Sequence, residues 1–297
     1  MKILLTGFTG FLGKAIIQVL QNKHEFVFLG NREHGVLPYD LTKKIPSIPM
    51  VDMVIHAAGR AHKIPKSNEE IQYMYDVNTI GTQNLIDALH RNPPRTFVFI
   101  STVAVYGVDS GSYIDENTLL LGSTPYAHSK ILAEKLVLKW GQDSCVNVVV
   151  LRLPVITGDN PPGNLGALIN SIRKGYYLRI GSGEVRKSMV GSLDVANLLP
   201  SLIDKCGIYN LTDGIHPSII EVDTHIANLI GRKVKRVPES FLRPIAKLGD
   251  YCPGLPLNTS RLKKLNSSLT FDDSKARREL NWSPEPALNS LNFTLNR

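Results

Sequence analysis

The sequence predicts an α/β fold, a doubly wound parallel sheet covered by helices. Short apolar runs of strand length alternate with longer segments of helical period, and the first run passes through a glycine-rich turn straight into the first helix. Strands joined through helical crossovers run parallel, so this alternation specifies the sheet type as well as the element types.

Lys2-Ile3-Leu4-Leu5 reads as a buried strand, and Thr6-Gly7-Phe8-Thr9-Gly10-Phe11-Leu12-Gly13 leads into an apolar-periodic helix running to Leu20. Gly7 permits a tight turn, Gly10 lets backbone approach a pyrophosphate, and Gly13 allows close helix packing, while the helix N-terminus offers N–H groups to phosphates. In this strand-to-helix setting the glycines predict dinucleotide binding rather than a merely structural turn. The second strand, Glu25 to Leu29, ends in Gly30-Asn31-Arg32, with no carboxylate for a ribose 2′-hydroxyl. Arg32 suits the 2′-phosphate of NADP, so NADP is favoured over NAD; an exposed loop arginine is the plainer alternative. A third strand, Asp52 to His56, runs into Ala57-Ala58-Gly59, small residues past which backbone can approach the cofactor, and His56 reads as a satisfied core histidine. Further strands are predicted at Phe97 to Ile100 and Val146 to Leu151, with helices at Asn78 to Leu89 and Tyr126 to Trp140.

The last of these helices carries Tyr126 and Lys130, which at i and i+4 share one helical face. An ammonium beside a phenol favours the phenolate, so Lys130 is expected to lower the Tyr126 pKa and ready its hydroxyl to exchange a proton with a sugar or alcohol oxygen. Spacing alone is weak evidence, because Tyr39 and Lys43 repeat it between Pro38 and Pro46, in a stretch that reads as a loop. Around Tyr126 the context differs: Thr124-Pro125 starts a helix, and Ile131, Leu132, Lys135, Leu136 and Leu138 line up as on one with a single apolar face.

Composition sets outer bounds. A chain of 297 residues, 43% hydrophobic and 20% charged, is that of a folded globular protein with one large domain or two unequal ones. Cys145, Cys206 and Cys252 are too few and too scattered for a disulfide framework or a metal site, so no metal is expected, a reducing compartment is favoured, and each reads as a packing residue. No run of about twenty apolar residues exists and Ile3-Leu4-Leu5 breaks at Thr6-Gly7, so neither a membrane span nor a signal peptide is expected, and the location is read as cytoplasmic. The net charge of +8 fits nucleic acid, an anionic membrane surface or a small polyanion such as a nucleotide sugar. With no basic run interleaved with aromatics, nucleic acid is disfavoured and the small anion preferred, beside the alternative of a solvated basic surface.

Taken in order, several motifs resemble the extended short-chain dehydrogenase/reductase superfamily, in its nucleotide-sugar epimerase, dehydratase and reductase branch. They are Thr6 to Gly13, Asp40-Leu41, His56-Ala57-Ala58-Gly59, Val77-Asn78-Thr79-Ile80-Gly81-Thr82, Ser101-Thr102-Val103-Ala104-Val105-Tyr106-Gly107, Tyr126 with Lys130, Leu151-Arg152 before Thr157-Gly158, and Phe271-Asp272-Asp273-Ser274-Lys275-Ala276-Arg277. The resemblance spans nearly the whole chain. It implies a Rossmann domain of residues 1–158 with about 188–212, and a smaller, discontinuous sugar-binding domain of 159–187 and 213–297. It implies Tyr126 as acid/base, Lys130 as the residue that lowers its pKa and holds the ribose, and Thr102 as partner of the sugar C4 oxygen. Gly7, Thr9, Gly10, Phe11, Leu12, Gly13, Arg32, Asp40, Leu41, Ala57, Ala58, Gly59 and Asn78 would line the cofactor, with Asp40 reaching the adenine and Asn78 in a structural or cofactor-side role at a helix start. Thr102, Val103, Tyr126 and Asn164 would meet a UDP-sugar, and either Arg186 or Lys187 its diphosphate. Members of the superfamily commonly form a homodimer through two helices.

Departures from pattern separate the chemistries. Related dehydratases carry an Asp-Glu pair after the catalytic threonine; Val103 and Ala104 cannot move protons, which disfavours 4,6-dehydration. The 4-epimerases commonly place an acidic residue after the second strand and an Asn three residues beyond the arginine at position 152, where this chain has Gly30 and Val155. A ketoreductase needs NADPH and the Thr/Tyr/Lys set. The stretches Gly158 to Asn164, Ser188 to Asp194 and Asp273 to Trp282 are similar to bacterial reductases of UDP-4-keto-6-deoxy-N-acetylhexosamines in surface-polysaccharide synthesis. The resemblance therefore implies NADPH-dependent C4 reduction, with 4-epimerisation as the alternative and a non-catalytic dinucleotide sensor below both.

Overall fold

The computed structural model describes residues 1–30, 37–61, 65–252 and 258–293. In chain order the first half runs β1 (Lys2–Thr6), α1 (Phe11–Leu20), β2 (Glu25–Leu29), β3 (Met53–His56), α2 (Asn68–Tyr75), α3 (Gly81–Leu89), β4 (Thr96–Thr102), β5 (Gly111–Ile114), α4 (Pro125–Ser144) and β6 (Asn147–Leu153). The second half adds β7 (Val155–Thr157), α5 (Gly163–Lys174), β8 (Leu178–Ile180), β9 (Met189–Gly191), α6 (Ser192–Leu198), β10 (Gly207–Asn210), α7 (Ile219–Ile230), β11 (Lys235–Val237), α8 (Glu239–Tyr251), α9 (Thr259–Leu265), β12 (Leu269–Phe271) and α10 (Ser274–Leu280).

Six strands form one parallel sheet in the order β10-β6-β4-β3-β1-β2, the Rossmann arrangement. The chain steps outward from β1 to β2 and then returns to β3 on the other side of β1, so the strand order reverses between β1 and β3. That crevice, at the carboxyl ends of the strands, is where an open α/β sheet accepts ligands.

Alternation along the strands divides the core. Ile3 and Leu5 point to the face covered by Leu12, Ile16, Val195 and Leu199, whereas Leu4 points to the face covered by Leu85, Leu89, Val137 and Trp140. Both faces are apolar because helices cover both, which explains the near-continuous hydrophobic strands. Leu165, Ile169, Ile172, Val222, Ile226 and Leu291 form a separate buried cluster.

Elements from the two stretches expected to form separate domains also pack together. β5, inside the first 158 residues, pairs with β12, and Ala276, Leu280 and Trp282 of the carboxy-terminal stretch pack into the core on the large sheet. The three cysteines are all exposed, which corrects their reading as packing residues. Cys145 and Cys252 sit at the carboxyl ends of α4 and α8.

Asn78 does not open a helix. α2, a π-turn over Asp76–Ile80 and α3 form one continuous rod, and the wide turn re-aims the Asn78 side chain into the interior. Tyr39 and Lys43 sit in a loop and are not part of a helix.

Candidate active site

The glycine turn is dictated by close approach. Gly7 has φ +71°, and a Cβ there would fall 2.5 Å from the Ala58 backbone nitrogen; at Gly13 it would fall 2.2 Å from the Gly7 carbonyl oxygen. The first turn of α1 therefore lies directly against the β1 and β3 exits. Gly10 caps α1 in an extended conformation, with no side chain bonded to the first N–H groups and no acidic residue in the first turn. Thr9 and Gly10 are exposed and Phe11 half-buried, while Leu12 anchors the helix in the core. A helix start with uncapped donors and no competing carboxylate fits a dinucleotide pyrophosphate.

Around it, Asp40 accepts hydrogen bonds from Thr42 N (2.8 Å) and Thr42 Oγ1 (2.9 Å), and the Leu41 carbonyl accepts from Asn84 Nδ2 at 2.8 Å. Leu41 also packs on Gly81, where a Cβ would come within 3.1 Å of its own. These contacts dock the 40–42 loop onto α3. Arg32, on which the NADP preference rests, lies outside the described residues.

His56 is fully buried, and burial first, with the Lys130 charge second, lowers it to about 3. It is a neutral link in a chain of hydrogen bonds: Ala58 N donates to Thr6 Oγ1 (3.1 Å), which meets His56 Nδ1 (2.6 Å), and His56 Nε2 meets Thr82 Oγ1 (2.9 Å), which donates to Asn78 O (2.7 Å). Only the tautomer protonated at Nε2 satisfies every member, an assignment made from the network. Asn78 continues it, accepting from Arg60 N (2.7 Å) and donating to Ser129 Oγ (2.9 Å), which donates to Tyr126 O (2.8 Å). A buried polar strut thus joins the Ala57–Gly59 turn to the first turn of α4, where Tyr126 sits.

Thr124 caps α4, its hydroxyl accepting from Ala127 N at 3.2 Å, and Pro125 occupies the first turn. Tyr126 follows at once, half-buried, with its phenol hydrogen-bonded to Thr102 from the end of β4. Sheet and helix thus bring two hydroxyls, 24 positions apart in sequence, to one point. The phenol is pushed up to about 12, burial being the larger cause and the Thr102 bond acting against it.

This corrects the expectation that Lys130 draws Tyr126 toward neutrality. Lys130 lies one turn along α4, but its Nζ donates to the Ile100 carbonyl at 2.6 Å and sits 3.9 Å from the centre of the Phe99 ring. Burial lowers the ammonium to about 7, with Glu134 acting the other way. The i,i+4 spacing fixes the shared face and leaves the aim of a four-carbon stem to tertiary contacts.

Beneath the pair lies a second network that sequence reading missed. Glu134, one turn past Lys130 and buried, accepts from Ser101 Oγ, from Arg152 Nε at 3.2 Å and from Arg152 Nη2 at 2.8 Å. Arg152 also donates to Tyr106 Oη at 3.0 Å, and that hydroxyl donates to Asn210 Oδ1 at 2.7 Å. The signal available was Glu134 at i+4 from Lys130 on a face otherwise apolar. Val103 packs with Val105, Tyr106, Ile131 and Phe271.

Asn164 is exposed in the first turn of α5. Arg186 and Lys187, adjacent on an extended segment, point to opposite sides. The Lys187 ammonium binds the Ser267 carbonyl at 2.7 Å at the end of α9, whereas the Arg186 guanidinium is exposed, with Nη1 on the His216 carbonyl at 3.0 Å.

Comparison with known proteins agrees with this architecture. The model of the NAD dependent epimerase/dehydratase family matches residues 3–211. A UDP-glucose 4-epimerase of Vibrio cholerae is 27% identical over 97% of this chain and 92% of its own. A GDP-6-deoxy-D-mannose reductase of Pseudomonas aeruginosa is 30% identical over 66% of this chain and 64% of its own. In three dimensions the UDP-glucose 4-epimerase of Thermotoga maritima superposes with a TM-score of 0.77 at 20% identity, covering 98% of this chain and 96% of its own. The glycine turn at the β1–β3 crevice, the Thr102–Tyr126 pair and the match over most of the chain lead to one conclusion: the protein belongs to the NAD dependent epimerase/dehydratase family.

Proposed function

We infer that the protein is an NADPH-dependent reductase of the C4 keto group of a UDP-4-keto-6-deoxy-N-acetylhexosamine. The observation that carries this reading is the Thr102–Tyr126 pair, whose phenol is held protonated by its surroundings. A reductase begins its cycle with a proton donor at the C4 oxygen, and a protonated tyrosine is one. Val103 and Ala104, which follow Thr102, supply no acid or base for dehydration.

With its pyrophosphate at the α1 N-terminus, a reduced nicotinamide dinucleotide would supply the hydride to the C4 carbon. Tyr126 delivers its proton to the C4 oxygen as charge develops there, and Thr102 holds the same oxygen by hydrogen bonding. Lys130, anchored one turn away, is the nearest cation on α4 to the phenolate left behind, and solvent restores the proton. Gly7, Thr9, Gly10, Phe11, Leu12 and Gly13 would cradle the pyrophosphate, with Asp40, Leu41, Ala57, Ala58, Gly59 and Asn78 shaping the rest of the cofactor cleft. Asn164 and Arg186 are the diphosphate candidates; Lys187 is engaged at the end of α9.

The near full-length similarity to a UDP-glucose 4-epimerase favours a second reading, 4-epimerisation with retained NAD. The two separate in one experiment. A reductase purifies without tightly held nucleotide and consumes NADPH only when given a UDP-4-keto sugar; an epimerase carries NAD through purification and interconverts C4 epimers without net NADPH use. Tyr126→Phe lowers kcat by about 10²- to 10⁴-fold in either case, and full turnover in that variant would remove Tyr126 from the chemistry.

A further inference from the structure

The net charge of +8 is concentrated in one place. Residues 232–265 hold nine lysines and arginines against Glu239 and Asp250, a net of +7. All nine cations are exposed. The segment comprises β11, α8 and α9, and α8 packs on α9 through Ala246, Gly249 and Leu262, all buried. Among the described residues, no carboxylate pairs with Lys233, Lys235, Arg236, Lys247 or Lys263; Arg243 pairs with Glu239, and Lys264 with Asp109.

α8 presents to solvent what a buried helix would hide. Phe241, Ile245 and Leu248, one stripe at helical spacing, are 70%, 49% and 58% exposed, and Tyr251 beside it is 86% exposed. Arg243 and Lys247 lie around the far side of α8 from this stripe and line, with Lys263, a groove of about 360 Å³ between α8 and α9. An apolar face and a cationic face on one helix are the two parts of a helix that lies flat in a membrane interface, its apolar side in the acyl boundary and its cations drawn to anionic headgroups.

We propose that α8, with β11 and α9 beside it, is a peripheral docking surface for an anionic lipid bilayer. Charge complementarity selects this occupant. A symmetric contact with a second copy would set the cationic patch against itself or close to it, which like-charge repulsion opposes. A nucleic acid would use the cations and leave Ile245 and Leu248 without a partner, since phosphate contacts come from cations and polar groups and bases stack on aromatic rings. The proposal is independent of which C4 reaction the enzyme performs.

The test is sedimentation of the full chain with vesicles of phosphatidylcholine alone and of phosphatidylcholine mixed with phosphatidylglycerol. The chain is expected to sediment with the anionic vesicles only, and less as salt is raised. Triple replacement Phe241→Ser, Ile245→Ser, Leu248→Ser should abolish sedimentation. Lys247→Glu with Lys263→Glu, on the polar side, should weaken it about tenfold or more, since each cation near an anionic leaflet is worth roughly fivefold. These side chains are exposed, and a matched thermal melt checks that both variants fold. Equal partitioning to neutral vesicles, no partitioning to either, or binding untouched by both variants would overturn the proposal. So would a concentration-dependent dimer that the triple variant breaks, or retention of RNA, without vesicle binding.

Discussion

Replacing Glu134 by Gln keeps size and shape and removes one buried negative charge. Glu134 and Arg152 are 1% and 2% exposed, so no water compensates. Burial opposes the Arg152 charge, yet the bonds and charge of Glu134 outweigh it and hold the guanidinium above its ordinary value. Removing one partner of such a pair costs about 3–5 kcal/mol; the amide oxygen of Gln still accepts one bond, which places Glu134→Gln near 3 kcal/mol. That is a large share of the roughly 5–15 kcal/mol by which domains are stable. A second effect falls on Lys130, which burial lowers to about 7 against the opposing pull of Glu134. Without that pull its pKa falls further, so any limb of the kcat–pH profile governed by charged Lys130 moves to lower pH. Urea unfolding measures the first effect and the pH profile the second. A loss below about 1 kcal/mol with an unmoved profile would refute the reasoning. Replacing both partners, Glu134→Leu with Arg152→Met, should be less harmful to stability than Glu134→Gln, because no uncompensated charge remains.

Lys130→Met should trade function for stability. The folded pKa of about 7 lies below the ordinary 10.5, so between these values the folded chain binds fewer protons than the unfolded chain, and the Lys130 contribution to stability rises with pH. The variant lacks that rise: its melting temperature should exceed the parent's at pH 6.5, with the gap closing toward pH 10; a gap constant with pH counts against the burial argument. Gly13→Ala drives a Cβ to 2.2 Å from the Gly7 carbonyl oxygen and must displace α1. NADPH affinity, followed by fluorescence titration, should fall more than about tenfold, or about 1.4 kcal/mol, and unchanged affinity would separate the α1 start from cofactor binding.

Elements defined by local pattern were legible. β2 spans Glu25 to Leu29 as expected, its apolar run Phe26 to Leu29 ending where the strand does, and Thr124-Pro125 starts α4 because capping and a fixed proline φ act within one turn. The rod from Asn68 to Leu89 was read only in its second half, since the first is polar and lacks an apolar period. The cysteines were misplaced because burial of a small side chain depends on what packs over it.

By itself the sequence determined the alternation of strands and helices, the glycine turn and the placing of Tyr126 at the start of a helix, because all of these follow from backbone periodicity and steric limits a few residues wide; Thr102 was singled out by family resemblance. The tertiary structure decided where the polar ends of long side chains go. Lys130 turns to the Ile100 carbonyl, Lys187 to the end of α9 and Glu134 to Arg152, because each buried donor or acceptor takes the partner that folding brings within about 3 Å, and those partners come from distant parts of the chain. Burial therefore keeps the Tyr126 phenol protonated, against the pull of Thr102, where i,i+4 spacing alone predicted a phenol drawn toward its anion by Lys130.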